Sequence, residues 1–303
     1  MNPAIFDFIV NVIPKEDILV NEPMSKHTTF RVGGEAKYVL IIRDKNQLIK
    51  LIPYLHKMDE NYFIIGNGSN LLVGDKGYSG IIVKLGSEME SIRIDGEKIT
   101  VSAGTTLAKA AAAARDGELT GMEFASGIPG TVGGSIVMNA GAYEGEMKQI
   151  VENVEVMDSQ GEILLLDNDT MEFGYRTSVV KNRPFIILEA TLKLNKGNKE
   201  EITAKMEELG RRRREKQPLE YASAGSTFKR PQGHFAGKLI MDAGLRGYSI
   251  GGARVADKHC GFVINTGHAS AADVREVIEE VQQKVKDLFN VSLEREVIYL
   301  GDF

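Results

Sequence analysis

The sequence predicts an α/β protein, from its alternating elements, its size and two glycine-dense loops. Helix-like and strand-like segments alternate over residues 44–85, the pattern of a small βα unit. At 303 residues, 43% hydrophobic and 26% charged, the chain has an ordinary globular composition and length for about two domains. The loops are residues 66–72 (GNGSNLL), which follow the apolar run 62–65, and residues 127–143 (GIPGTVGGSIVMNAGAY). Glycine at such density implies φ > 0 or a group pressed against bare backbone, and open amides in such loops form a concavity suited to a pyrophosphate. The plainer reading of either loop alone is a tight turn between strands; the pair points to a large phosphorylated cofactor.

Taken in order, residues 1–36 read as a short helix and then an extended segment, KHTTFRVGGEA. Residues 44–59 read as a helix: Asp44 and Gln47 resemble a capping box, Leu48, Leu51, Ile52 and Leu55 form a stripe, and Pro53 is expected to kink or shorten it. Strands are expected at 62–65 and 81–85, and a hairpin at 91–95 and 98–102 around Gly96. The alanine-rich stretch 106–115 reads as a helix closed by Gly117 in the usual C-terminal position. A second hairpin is expected at 151–158 and 162–166, and an apolar strand at 185–194. Residues 200–216 form a helix with Ile202, Met206 and Leu209 inward. Residues 270–288 form a longer one with Val274, Val277, Val281, Val285 and Leu288 inward, and a strand at 297–300 closes the chain.

Composition excludes several function classes. A net charge of −5 argues against a general nucleic-acid binder, and Arg211 to Arg214 read mainly as a solvated helix end facing its own dipole. The single cysteine, Cys260, excludes an intramolecular disulfide and an all-cysteine metal site. The N-terminal apolar run contains Asp7 and lacks an early basic cluster, unlike a secretory signal. No run approaches the roughly 18 apolar residues of a membrane span. A cytoplasmic protein is expected, with no membrane or nucleic-acid partner and no metal.

The familiar nucleotide fingerprints are missing. Leu71 stands where G-x-G-x-x-G needs its third glycine, and Gly233 with Gly237-Lys238 falls one residue short of a P-loop. Three segments carry polar residues that packing does not explain: Arg176 in FGYRTS, Ser226 with Arg230 in SAGSTFKRP, and Glu294 and Glu296 in LEREV. On a strand Glu294 and Glu296 share one face and Arg295 the other. Singly, the plainer readings are a surface ion pair, a helix cap and a solvated strand end. His259 beside Cys260 also admits a metal or nucleophile pair, although neighbours on a strand point oppositely.

Taken together and in order, HTTFRVGG, GNGSNLL, GIPGTVGG…NAGAY, GYRTS, AGSTFKRP and LEREV span essentially the whole chain and resemble the UDP-N-acetylenolpyruvoylglucosamine reductase family. The resemblance implies a flavin fold of the vanillyl-alcohol-oxidase type. Two FAD-binding subdomains would lie at residues 1–85 (with 297–303 returning to it) and 86–196, and a C-terminal α/β substrate domain at 197–296. It implies non-covalent FAD held by Gly66, Asn67, Gly68, Ser69, Asn70, Leu71, Gly127, Ile128, Pro129, Gly130, Thr131, Gly133, Gly134, Asn139, Ala140 and Gly141. NADPH would be the hydride donor, and UDP-N-acetylglucosamine enolpyruvate the substrate in peptidoglycan precursor synthesis.

The implied catalytic residues are Arg176, holding the substrate carboxylate, Ser226 as proton donor, and Glu296 as acid–base partner; Lys216, Arg230 and His259 would hold the UDP-sugar. One branch of the family inserts a segment with a substrate-covering tyrosine between the arginine and the lysine. This chain has only a strand and a helix there and resembles the shorter, second type. The expected assembly is a monomer. Two alternatives stand beside this reading: an oxidase of the same fold with flavin attached through histidine, His27 being the candidate, and a non-catalytic UDP-sugar sensor.

Overall fold

Chain proximity separates the residues into two units in the computed structural model, which describes residues 3–303. The first holds the chain up to Val20, Tyr38–Gly66 and Gly80–Arg212; the second holds Asn21–Lys37, Asn67–Ser79 and Arg213–Phe303.

The first unit is built on two sheets. One is four-stranded, in the order Ile18–Pro23, Glu35–Ile42, Tyr78–Leu85 and Tyr62–Ile65, the last two parallel. Its core takes Ile5 and Ile9 from helix α1 (Pro3–Val12) and Leu48, Leu51, Ile52 and Leu55 from α2 (Lys45–Lys57). Each such fully buried side chain contributes about 1.5–3 kcal/mol. The other sheet is five-stranded and antiparallel, in the order Ile163–Asp167, Val151–Met157, Ile186–Lys193, Lys98–Ser102 and Ile92–Asp95. Helices α3 (Leu107–Asp116) and α4 (Val132–Val137) pack against it and against each other. Ala110, Ala111 and Ala114 bury the near face of α3, so small side chains let the helix lie close. Helix α5 (Lys199–Lys216) begins in this unit and buries Ile202 and Leu209.

The second unit has a three-stranded antiparallel sheet, Ser249–Ile250, Ala253–Val255 and Val263–Asn265, covered by α6 (Ala236–Asp242) and α7 (Ala271–Phe289). Ser270 and Asp273 form a reciprocal capping box on α7. Asp75 adds both carboxylate oxygens to the first turn, accepting the amides of Ala271 and Ala272 at 2.8 Å each. The final strand, Ile298–Leu300, runs parallel to Leu71–Val73. Buried Asn265 donates to the Phe30 carbonyl at 3.0 Å and accepts the amides of Gly267 and Ala269, so the HTTFRVGG stretch is tied to residues far along the chain.

Several local expectations need correction. Asp44 caps α2 by accepting the amides of Asn46 and Gln47, but Gln47 takes the amide of Arg43 at 2.7 Å, so the capping box is not reciprocal. The helix runs on through Pro53 to Lys57. Gly117 has φ −86 and the left-handed residue is Glu118, φ 55. A Cβ at 117 would lie 2.8 Å from Ile94 Cδ1, the movable end of an exposed side chain. Leu288 is 61% exposed: it lies off the buried valine face of α7. The extended segment expected at 26–36 is mostly turns, between the unforeseen strands Ile18–Pro23 and Glu35–Ile42. Met1 and Asn2, the start of the first expected helix, lie outside the described residues. Among the described residues no helix is long and apolar enough to cross a membrane.

Candidate active site

In the first unit the GIPGT loop leads into α4. Thr131 is buried and caps that helix, its hydroxyl accepting the amide of Gly134 at 3.4 Å. Gly66, the first residue of the other glycine loop, lies directly on it: a Cβ at 66 would sit 2.3 Å from Thr131 Oγ1. Gly133 lies equally close to Ala103 (2.9 Å between a built Cβ and Ala103 Cβ). Two bonds pin the loop, Leu107 amide to Gly130 carbonyl and Val132 amide to Thr105 carbonyl. Among the described residues, the amides of Gly127, Gly130 and Thr131 donate to no protein acceptor, which leaves a row of donors for an anionic group.

The far end of α4 holds Arg176. Arg176 occupies the left-handed corner (φ 56) of a turn closed by mutual bonds between Gly174 and Thr177, a conformation costing a non-glycine residue roughly 1–2 kcal/mol. Asn139 donates to the Gly174 carbonyl at 3.0 Å while accepting the Lys148 amide at 2.9 Å. Ser178, also buried, donates to the Val137 carbonyl at 3.0 Å. The neighbours thus impose the turn, and local strain of this kind marks functional positions. Arg176 lies 5.3 Å from the centroid of the exposed Tyr175 ring. The side chain of Asn139 is occupied by this bracing, and Gly141 packs against Gly145 in a short hairpin.

In the second unit the rest of GNGSN turns at Gly68, whose φ is +60 and whose added Cβ would fall 2.0 Å from the His27 carbonyl oxygen. Among the described residues, the amides of Asn67, Gly68 and Ser69 donate to no protein acceptor. Beside them Thr29, whose amide donates to the Gly68 carbonyl, has a buried hydroxyl without a protein partner. A buried hydroxyl left so is costly unless a ligand completes it, so this donor set fits phosphate oxygens. Sequence reasoning missed Thr29, although it lies in the HTTFRVGG motif. Leu71 is buried at the start of its strand.

The segments that carry Ser226 and Glu296 pair side by side. Phe228 and Arg295 form an antiparallel bridge, flanked by the bonds Glu296 amide to Thr227 carbonyl (2.9 Å) and Lys229 amide to Glu294 carbonyl (2.8 Å). Residues 294–296 are thus a bridge rather than the start of the last strand, though their alternation survives: Arg295 stacks 3.7 Å over Tyr299, and Glu294 pairs with Lys229. Ser226 is exposed, follows Gly225 (φ +75) and precedes the wholly buried Thr227. Asn70 braces the other side, donating to the Glu296 carbonyl at 3.1 Å and accepting the Ile298 amide at 2.9 Å.

The candidate substrate residues are more scattered. Lys216 is exposed at the end of α5, and Lys258 donates to the Arg214 carbonyl in the same last turn at 3.2 Å. Arg230 stacks 4.0 Å over the exposed Phe235. Arg212, from the basic run, stacks over Tyr143 at 4.8 Å rather than being merely solvated. Burial lowers the His259 pKa and raises that of the Cys260 thiol, so a reactive thiolate–imidazolium pair has no support here. His27 Nε2 lies 3.1 Å from Glu22 Oε1. Among the described residues no group of three His, Cys, Asp or Glu side chains is placed to hold a metal ion.

Known proteins resemble this chain over its full length. Residues 217–300 match the UDP-N-acetylenolpyruvoylglucosamine reductase C-terminal domain, and residues 36–167 match an FAD binding domain. The chain is 51% identical over 302 residues to the UDP-N-acetylenolpyruvoylglucosamine reductase of Caldanaerobacter subterraneus subsp. tengcongensis, covering 100% of each. The crystal structure of the same reductase from Thermus caldophilus aligns with a TM-score of 0.81 at 34% identity, over 93% of this chain and 99% of that one. Phl p 4.0202, a glucose dehydrogenase, shares the fold alone, with a TM-score of 0.50 at 12% identity over 65% of this chain and 44% of its own.

Proposed function

The chain belongs to the UDP-N-acetylenolpyruvoylglucosamine reductase family, and from that premise we propose how its own residues carry the reaction. It is an FAD-dependent oxidoreductase that uses NADPH to reduce UDP-N-acetylglucosamine enolpyruvate to UDP-N-acetylmuramate, a peptidoglycan precursor. Its fold is an α/β FAD-binding unit of the vanillyl-alcohol-oxidase type with a C-terminal α/β domain. We assign FAD to residues 1–85 with 297–303 and to residues 86–196, and the UDP-sugar to residues 197–296.

Each unit carries a donor set that fits phosphate oxygens of FAD: the open amides of Gly127, Gly130 and Thr131 in the first, and those of Asn67, Gly68 and Ser69 with the Thr29 hydroxyl in the second. When bound, FAD supplies the hydride that reaches the enolpyruvyl methylene carbon. Negative charge then spreads from the adjacent carbon into the substrate carboxylate. Arg176 binds that carboxylate: its guanidinium is permanently charged and its fork geometry matches. Ser226 gives its proton to the adjacent carbon. Serine is a weak acid, but the acceptor is a reactive enolate and proximity lowers the barrier. Glu296 is the acid–base partner that stabilises the enol. Lys216 and Arg230 are the cations for the UDP-sugar pyrophosphate.

The observation supporting these roles is the Thr227–Glu296 backbone bond of 2.9 Å, which sets Glu296 opposite the residue next to Ser226. Replacing Ser226 with Ala is expected to leave FAD content and flavin bleaching by NADPH near normal. Return of the flavin band on adding substrate should slow by about 10²–10⁴-fold. Equal slowing of both half-reactions would refute the proton-donor role. We place the enzyme in the cytoplasm as a monomer of the shorter type without a tyrosine lid. Sedimentation showing activity only in a dimer would overturn the monomer assignment.

A further inference from the structure

His259 is an exposed residue whose ring is held along one edge by the chain. The amide of Gly261 points at its Nδ1 from 3.1 Å. A backbone N–H only donates, so Nδ1 carries the lone pair and the neutral ring keeps its proton on Nε2. Packing fixes the ring: Phe262 meets it edge-on at 5.0 Å and 69°. A Cβ would come within 2.9 Å of its Cε1 at Gly261 and 3.4 Å at Gly237. The hydrogen bonds continue past the ring. The Gly261 carbonyl accepts the Thr227 amide at 2.8 Å, Thr227 Oγ1 accepts the Val263 amide at 3.0 Å, and the Thr227 carbonyl accepts the Glu296 amide at 2.9 Å.

We propose that His259 is a positioning residue for the reductive step: its Nδ1 holds the 259–263 turn against Thr227, and Thr227 sets Ser226 and Glu296. The imidazole acts here as a side-chain acceptor for the amide two residues on, the same closure an Asx turn makes. The buried Thr227 has every polar group committed to neighbouring backbone, so a shift of the Gly261 amide is passed to both catalytic residues. This inference rests on the catalytic roles given above to Ser226 and Glu296.

Two variants separate positioning from substrate contact. Asn at 259 puts an acceptor where Nδ1 stands, whereas Gln reaches the place of Nε2 and cannot close the short turn. With substrate-driven return of the flavin band as the readout, H259Q is expected to slow it about 10–100-fold, as loss of catalytic alignment does, with the substrate concentration dependence little changed. H259N should restore it to within about threefold. FAD content and bleaching by NADPH, unchanged in both, establish that the variants fold.

Long-range 15N–1H spectra of the wild-type imidazole should show an unprotonated Nδ1 before substrate is added. A protonated Nδ1 overturns the proposal, and so does the reverse order, with H259N impaired through weaker substrate binding and H259Q normal. Equal rates in the two variants also overturn it. Ser226→Ala run alongside tells the two failures apart. If it reoxidises normally, the catalytic assignment is wrong and the positioning role falls with it. If it is slow while the two His259 variants match, only the positioning role is wrong.

Discussion

Gly68 and Gly133 lie in the two glycine-dense loops, and the backbone asks different things of them. Gly68 is left-handed (φ +60), and an added Cβ would meet the His27 carbonyl at 2.0 Å. Gly133 is not among the left-handed residues; what it lacks is room, with Ala103 Cβ 2.9 Å from the position its Cβ would take. The left-handed positions of that second loop fall on Asn139 and Tyr143 instead (φ 41 and 52), with Glu144 (φ 72) just beyond it. In the second loop Gly133 and Gly141 report chain pressed on chain, and in the first loop Gly68 also reports handedness.

The contrast is open to direct attack. Gly68→Ala combines strain with collision against an immovable carbonyl, and should cost about 3 kcal/mol or more and abolish FAD retention, read by thermal melting and flavin content. Gly133→Ala is an overpacking change, expected to cost about 1–3 kcal/mol and to be largely relieved by Ala103→Gly in the same chain. If the double variant is no better than the single, close packing is not why Gly133 is glycine. Gly225→Ala isolates handedness, since its φ is +75 and a Cβ would meet nothing within 4 Å. It should cost about 1 kcal/mol in a denaturant titration.

The smallest effect separates the helix caps. Thr131 caps α4 with a hydroxyl, which does not titrate, whereas the α7 cap adds the carboxylates of Asp273 and Asp75 to the Ser270 hydroxyl. The Ser270 amide, and after it the Gly252 amide, hold the Asp273 carboxyl below its ordinary pKa against the opposing effect of burial. Its stabilisation is therefore complete above the unfolded carboxylate pKa of about 3.9 and is lost as pH falls through the lower folded value. Melting temperature should be lower in Asp273→Asn than in the wild type at pH 7 and fall less steeply on acidification below about pH 4, so that the two curves converge. Parallel curves would show that the cap carries no pH dependence.

How much was legible follows the same division between local and distant causes. Helices α3 and α7 could be read from an alanine run and an apolar stripe, because both are set within a few residues, as are the Thr106 and Ser270 caps that the structure adds. The hairpin strands flanking Gly96 could be read for the same reason. Pro53 misled because a helix held by Leu48, Leu51, Ile52 and Leu55 in a core tolerates one missing amide. At the site, Arg176, Ser226 and Glu296 stood out as polar residues without a packing reason. Thr29, Asn70 as a brace, Thr227 and Asp75 did not, since nothing local distinguishes a hydroxyl, amide or carboxylate with a distant task from an ordinary turn residue.

By itself the sequence determined the α/β class, most helices and hairpins, the glycine loops and, through ordered motifs, the family. Those features rest on residue volume, chirality and hydrogen bonds between near neighbours. Only the tertiary structure decided that Asn139 braces the Arg176 turn, that Asn265 ties to Phe30 across 235 positions, and that Asn70 supports Glu296 across 226. A buried polar group takes whichever partner the folded chain brings within hydrogen-bond distance, and local propensity carries no information about which distant segment that will be.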